Sequence, residues 1–499
     1  MSNVRVTYSG LIAFVISISS VFTGIIFTLI VTRSLSVQDF GLWTLIGSLI
    51  SYVIIYEAII SFWASRQVAR DQDVGKTALV TSGLLSSISF ILFLVVAFFV
   101  SDTVDINLDI LFIAAIMAPL LFISNTLTGI NLGHRPEATS YGVLFFEIFK
   151  IPVGLTLVYF LELGIIGALV TIIVSYLLKI LIQIYFAKPK LNGIFNYHKI
   201  LYWFKFSWLP MYITIPGFIW TLDVLVFSAM TSSVEGLAFY GASMAIGNIV
   251  VHSGMISQGL YPKLLSGGKS QFFENNFSKV LYFAIPLLFI AILFSKPGLF
   301  VLNPAYQDAS TIVIIYSIRS FFYVIGGTFT KSLQGLEKID ESEFQTFSQL
   351  LKSKLVLIPT LNLIHYSSYV MSLVIVLTIL IPYDLSFTEL ITYWVMISLI
   401  IQIPFTIIPG ILLYRKIYFR ISFKNVIKFL IGAIAMVLVF FITSDEIIVY
   451  ENSIFIFLPR VILQFAICGV TYLGVTYMID KNTRSLFKSI ITELTGKKQ

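Results

Sequence analysis

Charge is scarce in this chain. Only 11% of its 499 residues are Asp, Glu, Lys or Arg, against about 25% in an average soluble domain. That shortage, with 58% hydrophobic residues, excludes a water-soluble globular protein. Cysteine is nearly absent as well. The single Cys468 lies inside an apolar run, so an internal disulfide is impossible and a dithiol redox centre is excluded. There are 4 histidines and no His/Cys spacing of the kind that ligates a metal. A nucleotide loop is lacking too: "GGKS" at Gly267–Ser270 ends like a phosphate-binding loop, but Lys263 stands where its first glycine belongs and no strand precedes it. "DQD" at Asp71–Asp73 sits in a short basic loop with no nucleotide domain around it. No catalytic residue, metal site or cofactor is expected, and the +7 net charge reads as basic loops at a membrane face, with no nucleic-acid partner.

What the chain has instead is long apolar runs. Runs of about 20 residues suffice to cross a hydrocarbon layer of about 30 Å. Fourteen can be drawn, near 8–32, 41–65, 78–100, 108–131, 140–161, 164–187, 207–230, 237–262, 279–299, 309–332, 354–381, 390–414, 425–443 and 455–478. The first is too long for a signal-peptide core and reads as a retained helix. The predicted fold is therefore all-α, a polytopic membrane protein of about 14 transmembrane helices. With a cytoplasmic amino terminus, the outer side holds only Arg33 and Lys296, while Lys150, Lys179, Arg319 and Arg460 fall within spans. The rest of the 32 Lys and Arg residues lie inside. This skew puts both termini in the cytoplasm.

Two outer turns repeat. Ser36-Val37-Gln38-Asp39-Phe40-Gly41-Leu42-Trp43 aligns with Ser233-Val234-Glu235-Gly236-Leu237-Ala238-Phe239-Tyr240, and the same offset pairs Arg66 with Lys263. Six spans separate the copies, so both face one side, which makes a parallel repeat. The expected organisation is a six-helix lobe over 1–190, a second over 200–418, two appended helices over 424–480 and a basic cytoplasmic tail over 481–499, amphipathic enough to lie on the inner leaflet.

The fourteen spans, the two lobes and the turn "LSVQDFGLW" (Leu35–Trp43) resemble the polysaccharide-biosynthesis flippases of the Wzx type. So do the basic turn "SRQVARD" (Ser65–Asp71) and "GLYPKLL" (Gly259–Leu265). That superfamily also holds multidrug extruders and lipid II flippases. The resemblance covers Met1 to about Asp480, and its motifs are diffuse, marking fold better than substrate. It implies movement of a polyprenyl-pyrophosphate-linked oligosaccharide across the cytoplasmic membrane by alternating access.

An ionisable group at bilayer depth costs at least about 2.5 kcal/mol, so it faces a cavity or a partner. Glu57, Glu147, Lys150, Lys179, Asp223 and Arg319 all lie within predicted spans. One reading is a wet chamber between the lobes. There Lys150, Lys179 and Arg319 hold a pyrophosphate or acidic sugar, Glu57 and Asp223 bond sugar hydroxyls or carry a coupling cation (H⁺ or Na⁺), and Trp220 stacks on a sugar ring. The other reading is a set of interhelical pairs, with Glu147 and Lys150, three residues apart, neutralising each other. Arg66 and Lys263 mark a cytoplasmic entrance or ordinary topology signals. Pro210, Pro216 and Gly217 form either a hinge or a fixed kink. A cation-coupled multidrug extruder is the alternative function. A membrane oligosaccharide ligase or polymerase is a third, disfavoured by the short outer loops. Glycan-assembly glycosyltransferases are the expected protein partners.

Overall fold

A computed structural model describes residues 20, 23–104, 107–260, 264, 270–337 and 353–485. Every regular element among these residues is helical. Eleven helices are long and apolar enough to cross a membrane, and the bent pair Val37–Val53 and Glu57–Ala69, meeting at 62°, makes up to 12. The expected fourteen are not reached, for two reasons. Of the first predicted span only Thr23–Ser34 is described as an apolar helix. In the eighth, the α-helix Glu235–Gly247 passes into a 3₁₀-helix over Asn248–Gly259. There the hydroxyls of Ser253 and Ser257 donate to the carbonyls of Val250 and Gly254, at 2.7 Å each. Short hydroxyls that take up backbone carbonyls compete with regular α-helical bonding.

Most hydroxyls face inward on the long helix Gly75–Val104. On Gly75–Val104, Leu84, Ile88, Ile91, Val95 and Phe99 are exposed, whereas Ser82, Ser86, Ser89 and Phe93 are buried. Lipid tails are as apolar as leucine, so small polar residues gather where helices meet.

The chain divides into two compact units, Met1–Gly241 with Val370–Phe387, and Ala242–Tyr369 with Thr388–Gln499. In the first unit, Met117–His134 packs on Glu57–Ala69 through Gly129 and Gly133. A Cβ at these positions would meet the carbonyl oxygens of Ser61 at 2.8 Å and Ser65 at 2.5 Å. This is the close approach that glycines four apart permit between membrane helices. Trp203, fully buried, docks the short helix Tyr197–Lys205 into a cluster with Ile60, Ala64, Val68, Leu127 and Ala187. The repeated turns meet here as well. Ser36 caps the helix that follows it, accepting from the Asp39 N–H at 3.1 Å, and Ser233 accepts from the Glu235 N–H at 3.2 Å. Gly41, in the first turn, lies directly against the Val234 carbonyl of the second, where no larger residue fits.

In the second unit, Phe273, Phe277, Phe329 and Phe419 form one ring cluster. The helices Phe423–Ile447 and Ile454–Ile479 dock on Ser270–Leu293 through Tyr282. Its carbonyl accepts from the Tyr472 hydroxyl at 2.6 Å, and its ring packs edge-on to Phe429.

Candidate functional site

The break between Val37–Val53 and Glu57–Ala69 places a carboxylate at its corner. Glu57 opens the second helix and is only 5% exposed. Its oxygens accept from the Thr126 hydroxyl at 3.0 Å and the Ser61 hydroxyl at 3.2 Å. A cavity of about 410 Å³ begins here, lined by Glu57, Ser61, Ser65, Asn125, Thr128 and Thr214 among others. Phe62, Leu132, Pro210 and Ile213 also line it, so the carboxylate, hydroxyls and amide share the wall with apolar side chains. The sequence reading missed Ser61, Ser65, Asn125, Thr128 and Thr214. Glu57, Ser61 and Ser65 share a helix face at i, i+4 and i+8, and that spacing was the available signal.

Glu147 and Lys150 form an ion pair at 2.6 Å. The Glu147 carboxylate also accepts from Thr23 at 2.6 Å and Ser20 at 3.3 Å. The Lys150 ammonium lies 5.3 Å from the Phe27 ring and 5.1 Å from Phe146. Phe146 touches Tyr176, over which the Lys179 ammonium sits at 5.4 Å. A buried pair survives only when its remaining polar capacity is met, and here hydroxyls and ring faces meet it. To hold an anion, Lys150 must trade Glu147 for it.

On Trp208–Thr231, Asp223 is 3% exposed and accepts from the Val224 N–H at 2.8 Å and the Tyr240 hydroxyl at 3.4 Å. Two residues before it, the Thr221 carbonyl accepts from Tyr52, whose ring meets Phe218 edge-on at 5.4 Å. Trp220 lies on the same helix, half-buried. The helix runs unbroken through Pro216, with Pro210 in its first turn; a Cβ added at Gly217 would touch nothing within 4 Å.

The second unit has its own buried cation. Arg319 is 2% exposed in the middle of Ser310–Gly335, its guanidinium 5.1 Å from the Tyr323 ring and 5.8 Å from Tyr316. Tyr316 donates to Asn248 at 3.1 Å. His365 and Tyr366 lie within electrostatic reach of Arg319, and His365 stacks on Phe405 at 4.5 Å. Tyr316 and Tyr323 flank Arg319 at i−3 and i+4, a spacing the sequence carried and the reading did not use. Lys150, Glu147, Lys179, Glu57, Asp223 and Trp220 thus belong to the first unit and Arg319 to the second. Arg66 is exposed, its guanidinium 4.5 Å over Phe62. Lys263 lies outside the described residues, as does most of "GLYPKLL" and the tail beyond residue 485. Among the described residues no group of three His, Cys, Asp or Glu side chains could hold a metal ion.

No family model matches the sequence and no curated protein matches it. Solved structures do. The lipid II flippase MurJ in an inward closed conformation superposes with a TM-score of 0.65 at 12% identity, covering 96% of this chain and 100% of that one. An inward-facing multidrug resistance MATE family transporter of the MOP superfamily gives 0.57 at 13% identity, covering 79% and 95%. A MATE protein in its straight conformation gives 0.52 at 14%, covering 83% and 96%. The chain therefore has the fold of these three structures. With 11 to 12 candidate membrane-crossing helices among its described residues, the chain is a multi-pass membrane protein.

Proposed function

We propose that the chain is a flippase that moves a lipid-linked oligosaccharide, a polysaccharide precursor on a polyprenyl pyrophosphate, across the cytoplasmic membrane by alternating access. The observation that carries this reading is the whole-length likeness to a lipid II flippase, 96% of this chain. The multidrug neighbours cover only 79% and 83% of it. Two features of the chain support the reading. Buried cations in aromatic surroundings, Arg319 and the Lys150–Lys179 group, are the donors a pyrophosphate needs. The cavity at Glu57, part polar and part apolar, offers Ser61, Ser65, Asn125, Thr128 and Thr214 to sugar hydroxyls, with Trp220 available for stacking. The mobile bodies are the two six-helix lobes, 1–190 and 200–418, bending at Pro210, Pro216 and Gly217; the helices over 424–480 stay in the bilayer, and the basic tail over 481–499 is cytoplasmic, as is the amino terminus. An anion moving outward gains about 2.3 kcal/mol per charge per 100 mV of interior-negative potential, so no nucleotide is required.

A specific observation also favours the extruder reading. Glu57 is a buried carboxylate held by two hydroxyls, a fit place for a coupling H⁺ or Na⁺. Proteoliposomes carrying a lipid-linked oligosaccharide separate the two. Flippase function requires translocation that Arg319→Gln reduces at least tenfold while the protein stays folded. Transport of lipophilic cations with no glycolipid movement would replace the flippase by the extruder, and glycosyltransferases of glycan assembly would drop out as partners.

A further inference from the structure

The most concentrated charge among the described cavities lies away from both buried centres. A pocket of about 370 Å³ opens where Glu57–Ala69 ends and Tyr197–Lys205 begins. Its lining includes Trp63, Arg66, Arg70, His198, Lys199 and Tyr202, and no carboxylate. Arg66 and Arg70 are one helical turn apart and so project side by side. Each is exposed, free to meet a ligand from outside. The pocket is built, not a loose surface cluster. Arg66 is braced over Phe62 at 4.5 Å. Lys199 is fixed by donating to the Gln72 amide oxygen at 2.9 Å, and Gln67 by accepting from Trp203 at 3.1 Å. The nearest acidic residue of that loop, Asp71, is paired with Lys190 at 3.2 Å and does not neutralise the pocket. Trp63 brings an indole N–H that is buried without a hydrogen-bond partner among the described residues.

The setting supplies the second half of the argument. Tyr197–Lys205 buries one side chain fully, Trp203, and shows the rest of its apolar face. Ile194 is 87% exposed just before it, and Tyr197, Leu201, Tyr202 and Phe204 remain exposed along it, with Trp208 exposed just beyond. A short helix with exposed aromatic residues and lysines lies in the headgroup layer of a bilayer. The pocket is therefore at headgroup depth, where the available anions are lipid phosphates.

We propose that this pocket binds the phosphate of an anionic lipid headgroup, with Arg66 and Arg70 as the paired donors, Lys199 as the third charge and the Trp63 and Tyr202 rings as its walls. Guanidinium side chains match phosphate oxygens two at a time, and lipid tails would run along the exposed apolar face of Tyr197–Lys205. The proposal stands whether or not the chain carries a glycolipid, since it concerns equilibrium binding and no transport.

The test is isothermal titration of the purified full chain in neutral detergent with dihexanoyl phosphatidylglycerol. Dihexanoyl phosphatidylcholine is the zwitterionic control, and inorganic pyrophosphate the soluble phosphate. Phosphatidylglycerol should bind in preference to phosphatidylcholine. Arg66→Gln with Arg70→Gln should weaken it about tenfold or more, as expected for losing charge-assisted hydrogen bonds. Lys199→Gln should weaken it less. Lys188→Gln, exposed and outside the pocket, should change nothing. The pair Arg66→Lys and Arg70→Lys, which keeps the charge, should retain part of the binding, and each variant's unfolding midpoint shows that it folds. Pyrophosphate displacing the lipid supports recognition of the phosphate itself. Binding of pyrophosphate with no lipid bound, equal affinity for the two lipids, or a loss at Lys188→Gln as large as at the arginines would overturn the headgroup assignment.

Discussion

The two buried centres solve one problem in different ways. In the first unit the cation Lys150 has a carboxylate one turn away, at 2.6 Å, and that carboxylate is completed by Thr23 and Ser20. In the second, Arg319 is surrounded by the rings of Tyr316 and Tyr323, with His365 and Tyr366 in electrostatic reach. A carboxylate neutralises a lysine outright and locks it to its own helix. Tyrosine faces attract a guanidinium by a weaker force, about 0.5–2 kcal/mol per ring, and leave its formal charge in place. The first centre is thus a latch that must open before it can hold an anion, while the rings of the second act on Arg319 by attraction to its charge. Folding should depend more on Glu147 and Lys150 than on the rings around Arg319.

The largest effect should come from breaking the latch on one side. Lys150→Ala strands the buried Glu147 carboxylate and should cost about 3–5 kcal/mol, as for other buried pairs that lose one partner. Adding Glu147→Ala should recover most of that loss. Unfolding of the three variants in detergent, read as a double-mutant cycle, gives the coupling. A Lys150→Ala protein as stable as the parent would erase the distinction between the centres. The ring-held centre should give a smaller number: Tyr323→Leu removes one cation–π contact and should cost roughly 1 kcal/mol. If it costs as much as Lys150→Ala, Arg319 is as dependent on its surroundings as the lysine.

Helix packing sharpens the comparison in the next range of energies. Gly133→Leu would drive a side chain into the Ser65 carbonyl, which a Cβ alone already meets at 2.5 Å, and should destabilise the first unit by about 1–3 kcal/mol. Gly217→Ala meets no atom within 4 Å and should leave stability unchanged or slightly raised. If residue 217 is a hinge, the same variant should slow transport. Slowed transport at full stability supports bending there; parental rates mark the Pro216 kink as static.

Much of this architecture was legible in the residues. Apolar runs marked the membrane helices because the bilayer demands them one by one. The i, i+3 spacing of Glu147 and Lys150 is met by a direct ion pair. The repeated turn at Ser36 and Ser233 forms two capped helix starts that touch at Gly41 and Val234. Other features depend on which helices become neighbours, and no single run records that. Thr126 reaches Glu57 across 69 residues of chain, and Thr214 joins the same cavity from farther still. The 3₁₀ stretch at Asn248–Gly259 escaped notice because hydropathy registers apolar length and not backbone pitch. That stretch accounts for one of the two spans short of fourteen; of the first, only Thr23–Ser34 is described as an apolar helix.

The smallest effect belongs to an ion pair at the edge of the second unit, between a buried Asp480 and a partly exposed Lys428, and pH separates it from the Glu147–Lys150 pair. Asp480 follows the last membrane helix. Burial works to raise its carboxyl, but the Lys428 ammonium at 2.9 Å and the N–H and hydroxyl of Thr483 outweigh it and hold it below the usual aspartate range. A carboxyl lowered on folding adds stability above its unfolded pKa and loses it as pH falls through its folded one. The contribution should therefore be complete at neutral pH and fade only in strong acid. Asp480→Asn should remove that acid dependence and loosen the docking of Phe423–Ile447 and Ile454–Ile479 by about 1 kcal/mol at neutral pH, within the range for partly exposed pairs. Unfolding midpoints of parent and variant, measured from neutral pH downward, should converge at the acid end. Parallel curves across the whole range would mean that Lys428 and Asp480 contribute nothing to holding these two helices in place.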